Sequence, residues 1–255
     1  LATAYRFVVE RIANVSDEGL RRNFLDKGAS RRAIVAAWVV QARMRGTASK
    51  LRIPHLAGNT SLREPFQRLA DTGLRMNELR SSDELHEFLI DEATEISGAE
   101  RVLLVLDTPD GPKLAGSLVP RGEDAQALLA NVDPLLAQAR RARTAVLSHS
   151  PERAEALDQR SHVVAPLIAQ RELLGYLYLE IDGAFGRFHE TDRDMMGMLA
   201  AQAAVALDNA QWSQGLERKV AERTSELQRS NDEIASRAAE LAVINTIQQG
   251  MAAAK

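Results

Sequence analysis

The chain has 255 residues, 45% hydrophobic and 26% charged, the composition of a globular protein with a sizeable core. It contains no cysteine, which excludes disulfides, thiolate metal sites and cysteine nucleophiles and agrees with the cytoplasmic location that we expect. The longest apolar run, residues 33–40, is far shorter than the roughly 20 residues of a membrane-spanning helix, so we expect no membrane insertion.

The charge is unevenly distributed along the chain. Residues 1–60 hold 11 Lys and Arg against 4 Asp and Glu, whereas residues 61–255 hold 21 against 31. This asymmetry predicts a boundary near residue 60, after a Gly-, Pro-, Ser- and Thr-containing linker at 46–61. A basic segment could contact nucleic acid, but these cations are scattered and few aromatics accompany them, so we expect no such partner. We favour a helical segment whose basic faces are solvated or meet an acidic neighbour.

The first elements in the chain are predicted to be helices. Residues 1–46 have apolar residues at helical spacing, in two or three helices. Two further helices are predicted at about 64–80 and 82–97, and Ser81 and Glu84 have the spacing of a capping box at the start of the second. We therefore expect an all-helical first third of the chain.

The middle of the chain alternates short apolar strands with turn residues. Two hairpins are predicted, with a helix and a single strand between them. The predicted order is strands 101–107 and 113–120, helix 123–141, strand 145–149, and strands 162–169 and 173–182. Pro166 has no amide hydrogen to donate, so it is expected at a sheet edge or a bulge.

The last predicted strand has two different faces. Gly175, Leu177, Leu179 and Ile181 would form a core face, and Tyr176, Tyr178 and Glu180 the opposite one. The second face suits a cavity wall, or the tyrosines simply cover the sheet. His149 and His162 flank residues 150–161 and could meet at the mouth of a pocket, so the ligand-binding candidates are Tyr176, Tyr178, His149 and His162. They have no clear carboxylate partner, and we assign no metal site.

From Thr191 onward the sequence predicts one continuous helix, because no proline follows Pro166 and helix-forming residues dominate. Beyond Gly215 its apolar residues recur every seven positions. The apolar d positions are Val220, Leu227, Ile234 and Leu241, and the a positions are Thr224, Asn231, Ala238 and Asn245. Asn231 would pair with its own copy, so the pattern predicts a parallel homodimeric coiled coil. The alternative is a surface helix packed on its own domain.

Two segments resemble the GAF family. Residues 165–181, APLIAQRELLGYLYLEI, are similar to the family's strand, turn and Leu-Gly-x-Leu strand. Residues 188–211 resemble its closing motif, a Phe, an Asp and an apolar run ending in Ala-x-x-Asn-Ala. Arg193 replaces the Glu of the cyclic-nucleotide-binding subgroup, and its Asn-Lys pair is absent. The resemblance therefore does not imply cyclic-nucleotide binding.

The resemblance implies an α+β, GAF/PAS-like fold with an antiparallel sheet of five to six strands between helices. The expected organisation is a helical segment and linker at 1–60, a GAF domain at 61–211 and a coiled-coil signalling helix at 212–255. We expect a non-enzymatic sensory module that binds a small ligand and transmits its signal through the dimeric helix, or else a ligand-free dimerisation scaffold. Residues 216–227 resemble linkers to histidine kinases or cyclases, so we expect a larger, bacterial-type parent protein, for example of a two-component system.

Overall fold

In the computed structural model the chain has an α+β fold, and the structure describes residues 1–12, 15, 18–26, 28–45, 63–76, 78–79, 81–153 and 158–253. Helices come first along the chain, and strands alternate with helices after them. In chain order the elements are α1 (Ala2–Ile12), α2 (Glu18–Asp26), α3 (Ala29–Met44), α4 (Arg63–Met76), α5 (Ser82–Ser97), β1 (Arg101–Thr108), β2 (Gly111–Leu118), α6 (Ala125–Ala142), β3 (Val146–Ser150), β4 (Arg160–Ala169), β5 (Glu172–Asp182) and α7 (Glu190–Ala253).

The five described strands form one antiparallel sheet in the order β2-β1-β5-β4-β3, which confirms the predicted fold class and both hairpins. The second hairpin turns through two residues, Gln170 and Arg171, whose φ values of 48° and 76° are typical of a tight I′ turn. Pro166 pairs with Tyr176 of β5, and β3 ends its pairing at Val164. Proline therefore stands where β4 has no neighbour on its other side among the described strands, as expected.

One face of the sheet, which we call the closed face, is apolar and packs against α5 and the first part of α7. Its strands contribute Val102, Leu104, Val163, Leu177 and Leu179, all fully buried. Leu85 and Leu89 of α5 and Leu199, Ala203 and Leu207 of α7 complete this core. The alternation predicted for β5 explains the arrangement, because every second residue of a strand points to the same side.

The opposite face, which we call the cavity face, packs against α6. A smaller cluster forms there from Leu103, Val105 and Val164 of the strands and from Leu129, Val132 and Leu136 of α6. Tyr176 and Tyr178 belong to the same cluster. The remainder of this face is polar, which sets the position of the site described below.

Helices α1 to α3 belong to the same body as the sheet. Tyr5 and Val8 of α1 and Val35 of α3 are buried in the closed-face core. Arg22 of α2 is fully buried and donates to Asp192 of α7 at 2.9 and 3.2 Å and to the carbonyl of Ser97 at 3.1 Å. Arg32 pairs with Glu100 and Arg43 with Asp158. Arg22, Arg32 and Arg43 thus meet acidic neighbours. This is one of the two arrangements, solvated or paired, that the sequence analysis favoured for the basic faces of this segment.

Helix α7 has 64 residues, which confirms the predicted long C-terminal helix. The contacts between residues divide the whole chain into two compact units, Leu1–Ala210 and Gln211–Lys255. Helix α7 contributes residues to both units. None of the described helices combines the length and apolar character that a membrane crossing requires.

The helix ends show which side chains and residues cap the helices, and the capping hydrogen bond predicted for Ser81 is not formed. Ser81 stands at the N-cap of α5 but its side chain makes no capping hydrogen bond, and Gly98 ends α5 at φ 67°, as a left-handed C-cap does. At the start of α7 the Asp192 carboxylate accepts from the amide of His189 at 2.7 Å, which is the carboxylate half of a capping box. Leu74 of α4 is exposed, because the buried stripe of that helix runs through Leu69, Thr72 and Met76.

Candidate functional site

An open cavity of about 860 Å³ lies between the cavity face and α6. Its lining combines an apolar helix face with polar strand residues. The principal apolar residues are Leu128, Val132 and Leu135 of α6, and the principal polar ones are Ser148 of β3, Arg160 and His162 of β4, Tyr178 and Glu180 of β5, and Arg187. A cavity with apolar walls and a few converging polar groups is the usual form of a small-molecule site.

Three side chains of neighbouring strands form a hydrogen-bonded row at one wall of the cavity. His162 of β4 pairs with Glu180 of β5, and Tyr178 lies two residues before Glu180 on the same face. The Tyr178 hydroxyl donates to Oε2 of Glu180 at 2.5 Å and lies 2.9 Å from Nδ1 of His162. Since the Tyr178 proton points to Glu180, its oxygen accepts and Nδ1 of His162 is the donor.

The protonation states of these groups agree with this direction. Burial raises the pKa of Tyr178, and the Glu180 carboxylate adds to that effect, so the phenol keeps its proton. Burial lowers the pKa of His162 and outweighs the opposing effect of the Glu180 carboxylate, and the positive charges of Arg160 and Arg101 lower this pKa further. His162 is therefore a neutral imidazole near pH 7, with its proton on Nδ1 and its Nε2 as a hydrogen-bond acceptor.

Glu180 itself is fully occupied by protein groups. Its Oε1 pairs with Arg160 at 2.9 Å and with Arg101 of β1 at 3.2 Å, while Oε2 receives the Tyr178 proton. Arg101 also pairs with Glu100 at 2.9 Å and with Glu123, and these carboxylates raise its pKa against the effect of burial. The buried carboxylate therefore holds Tyr178 and His162 in place and has no oxygen left to bind a cation.

The structure does not support Tyr176 as a wall of this cavity. Its ring is buried in the cluster with α6, and it is not among the described residues that line the cavity. Its hydroxyl accepts from Nε of Arg140 at 2.9 Å, and Arg140 also pairs with Asp107. Helix α6 covers Tyr176, an effect of tertiary packing that strand alternation cannot reveal.

His149 does line the cavity, but it does not meet His162 as the sequence suggested. The register pairs Ser148 with His162 and His149 with Ser161, so the two imidazoles project from opposite faces of the sheet. Nδ1 of His149 lies 2.9 Å from Oγ of Ser161. Burial lowers the pKa of His149, and the charge of Arg187 lowers it further. Of the four candidates, His162 and Tyr178 are hydrogen-bonded to each other, His149 lines the same cavity without contacting that pair, and Tyr176 lies outside the lining.

Sequence reasoning missed the two arginines of the cavity. Arg160 precedes His162 by two residues, so strand alternation places both on the same face, and this signal was available in the sequence. Arg187 follows β5, is half-buried, and has no acidic partner among the residues that the structure describes. It is thus a guanidinium at the cavity wall whose charge the described protein groups leave uncompensated.

The predicted dimerisation residues lie in the second unit, on the last part of α7. Val220, Leu227 and Ile234 are 60%, 66% and 62% exposed in the single chain. Asn231 is exposed as well, and the side chain of Leu241 lies outside the described set. Trp212 and Leu216, which the heptad pattern did not include, are also exposed.

A five-stranded antiparallel sheet with helices on both faces and a cavity beneath one of them defines an α+β domain. The family model of the GAF domain matches residues 81–209, half of the chain. The chain belongs to the GAF domain family, as the resemblance in residues 165–181 and 188–211 implied. Among curated proteins, none matches this chain.

Several solved structures are similar to this chain at low sequence identity. The GAF domain of a putative sensor histidine kinase from Pseudomonas syringae pv. tomato is 19% identical, with a TM-score of 0.46 over 61% of this chain and 93% of that one. The GAF domain of a phosphoenolpyruvate-protein phosphotransferase from Coxiella burnetii is 16% identical, with a TM-score of 0.47 over 61% and 99%. Free methionine-R-sulfoxide reductase from Neisseria meningitidis is 17% identical, with a TM-score of 0.46 over 62% and 96%.

Proposed function

We propose that this chain is a sensory GAF module that binds a small ligand in the cavity between the sheet and α6. GAF domains are commonly sensory or regulatory modules that bind small ligands. The observation that supports the proposal most is the cavity of about 860 Å³ lined by an oriented His162–Tyr178–Glu180 row. In a ligand-free scaffold, side chains would be expected to fill this face, as they fill the opposite one.

Ligand binding is tested by thermal shift against a broad set of metabolites, because a ligand of the native state raises the melting temperature. Ser148 lies on the cavity wall beside His162, so Ser148→Phe should fill the site and abolish the shift. Ser117→Phe places the same side chain on exposed β2, away from this cavity, and should leave the shift unchanged. If no compound stabilises the wild-type protein, the scaffold function replaces this proposal.

The signal is proposed to leave the domain through α7 in a parallel homodimer. The seven-residue spacing of Val220, Leu227 and Ile234 and their exposure in the single chain support this arrangement. Three large apolar side chains on one line of a solvated helix are unusual for a monomer. Met198 and Val205, in the first unit, are exposed as well.

The oligomeric state is tested by multi-angle light scattering of the wild type and two aspartate variants. Ile234→Asp removes an apolar side chain from the seam and puts two like charges there, so the mass should fall from dimer to monomer. Ser225→Asp adds the same charge at an exposed position outside the a and d positions and should keep the mass of the dimer. A dimer that persists in Ile234→Asp would contradict the coiled-coil assignment.

The output is proposed to be a histidine kinase or cyclase type domain in a larger signalling protein. This proposal rests on residues 216–227, whose sequence LERKVAERTSEL resembles the linkers of such proteins. The cytoplasmic location stays a prediction from the sequence.

We also propose that the domain acts by binding and not by catalysis. A serine–histidine contact joins Ser161 and His149, but Ser161 is 1% exposed and faces the closed-face core. No carboxylate among the described residues hydrogen-bonds to His149, so the pair lacks an orienting group. Hydrolysis of an activated ester that disappears in Ser161→Ala would contradict this view.

A further inference from the structure

The cavity contains an asymmetry of charge that points to the chemistry of its ligand. Arg160 and Arg187 both line it, together with the carboxylates Glu180 and Glu152. Glu180 is already shared by Arg101, Arg160 and Tyr178, and Glu152 is an exposed residue at the rim. Among the described residues, Arg187 is thus a half-buried cation of the lining without an acidic partner, whereas the carboxylate of Glu152 is exposed to solvent.

Two observations locate this positive charge. Arg187 lines the cavity and has no ion pair or hydrogen bond among the described residues. Arg160 is bonded to Glu180 through Nη1 at 2.9 Å, and half of its side chain is exposed. Its other N–H groups make no hydrogen bond to the residues that the structure describes, and guanidinium groups favour carboxylate and phosphate oxygens.

The polar row supplies a second contact of opposite character. Nδ1 of His162 is committed to the Tyr178 hydroxyl, which in turn donates to Glu180, so the tautomer is fixed. Nε2 of His162 has no hydrogen-bond partner among the described residues, and the side chain lines the cavity. An imidazole nitrogen with a lone pair accepts a hydrogen bond from an N–H or O–H group but repels an anionic oxygen.

The wall opposite the strands, formed by α6, carries three apolar residues beside the amides Asn131 and Gln138. Leu128, Val132 and Leu135 of α6 face the cavity at the spacing of successive helical turns. A ligand that satisfies all three walls has an acid group at one end, an apolar body against α6, and a hydrogen-bond donor near His162.

Building on the proposed ligand-binding function, we propose that the cavity binds a small organic anion with an apolar body. Its carboxylate or phosphate lies against Arg187 and Arg160, and its N–H or O–H group donates to Nε2 of His162. Carboxylates and phosphate monoesters share the required chemistry, and the experiment separates them. The assignment predicts that acids bind more tightly than amines, because both oxygens of Glu180 already have protein partners and Glu152 is exposed to solvent.

The test is a calorimetric and thermal-shift comparison of matched compounds on the whole chain. Aromatic and aliphatic carboxylates and phosphate monoesters, with and without a hydroxyl or amino group, are compared with their neutral amides or methyl esters. Acids that have a donor group should bind, and neutralising the acid should raise Kd at least tenfold. The relative affinity of the carboxylate and phosphate series identifies which acid group the site accepts.

Two variants assign the contacts. Arg187→Gln should raise Kd for acids about tenfold, and Arg121→Gln, at an exposed arginine outside the cavity lining, should not. His162→Phe should weaken donor-containing acids and leave their donor-free analogues unchanged. Since Arg187 is only half-buried, its variant keeps the test decisive even where His162→Phe fails to fold.

The outcomes separate this inference from the function on which it rests. Binding of neutral or cationic compounds without binding of acids overturns the inference and leaves a ligand-binding domain. Acid binding that Arg187→Gln does not weaken also overturns it. Absence of binding by compounds of every charge overturns both.

Discussion

The same three strands present opposite chemistry on their two sides. Toward α5 and α7, β1, β4 and β5 place Leu104, Val163 and Leu179, each fully buried and tightly covered. Toward α6 they place Arg101, His162 and Glu180, joined by ion pairs and hydrogen bonds beside an open cavity. The closed face thus supplies stability through apolar packing, whereas the cavity face has polar groups held at fixed positions, at the cost of less complete packing.

The closed side contains a buried ion pair at its rim, which is an exception to its apolar character. Arg22 of α2 and Asp192 of α7 are 170 positions apart in sequence and both nearly inaccessible to solvent. Burial alone would raise the pKa of Asp192, but Arg22 and the bonds from His189 hold it below its ordinary value. The pair joins the N-terminal helices to the first turn of α7.

The largest expected effect is the loss of this ion pair. Asp192→Ala leaves the buried Arg22 guanidinium with Glu18, at 2.6 Å, as its remaining carboxylate partner and should lower the free energy of unfolding by up to about 3–5 kcal/mol. Asp194→Ala, two residues later at an exposed position, should change it by less than about 0.5 kcal/mol. Urea denaturation of both variants measures the difference, and similar values would mean that α2 contributes little to the closed side.

A smaller effect is expected from truncating one leucine on each side of the sheet. Leu179→Ala creates a cavity in the tightly packed core and should cost about 2–5 kcal/mol. Leu135→Ala removes a half-buried side chain at an existing cavity and should cost about 1 kcal/mol or less. Equal losses in denaturation experiments would contradict the difference in packing between the two faces.

The smallest expected effects are two pH dependences of opposite sign. Burial lowers the pKa of His162 on the cavity face, so its contribution is complete above the ordinary value near 6.5 and is lost as the pH falls. The hydrogen bond with Asp192 raises the pKa of His189, with Glu18 adding to it, so its contribution is present below 6.5 and is lost as the pH rises. The second effect is weaker because His189 is more than half exposed.

The measurement compares unfolding free energies at pH 5.5 and 7.5 for the wild type and two glutamine variants. On acidification, His162→Gln should lose less stability than the wild type, because the unfavourable protonation is gone. His189→Gln should lose more, because a favourable protonation is gone. Each variant is compared with the wild type, so that the contributions of the other histidines cancel. If both variants lost more stability than the wild type on acidification, or both lost less, the two assignments would be contradicted.

The sequence was most informative where local patterns decide the structure. Alternation in residues 173–182 predicted which β5 side chains enter the core. The hairpins followed from short apolar segments separated by turn residues. For the candidate site, the same alternation was sufficient to place Tyr178 on the non-core face, but it gave no distinction between Tyr178 and Tyr176.

That distinction required knowledge of the neighbouring elements. Arg140 of α6 donates a hydrogen bond to the Tyr176 hydroxyl and covers that side chain. The register between β3 and β4 places His149 and His162 on opposite faces of the sheet. Neither the position of a helix over a sheet nor a strand register can be read from one segment, because each depends on residues far away in the chain. For the same reason Arg187 entered the site only through the fold.

The sequence by itself determined the order of helices and strands, the apolar face of β5, the continuous last helix and the family, because these depend on spacing and composition within short segments. Only the tertiary structure decided that Arg22 pairs with Asp192 and that Glu180 fixes the tautomer of His162. It also decided that a cavity lies beneath α6 and that Arg187 lines it without an acidic partner among the described residues. These features depend on groups that approach each other in space while remaining distant in sequence, and burial then gives their charges and hydrogen bonds their strength.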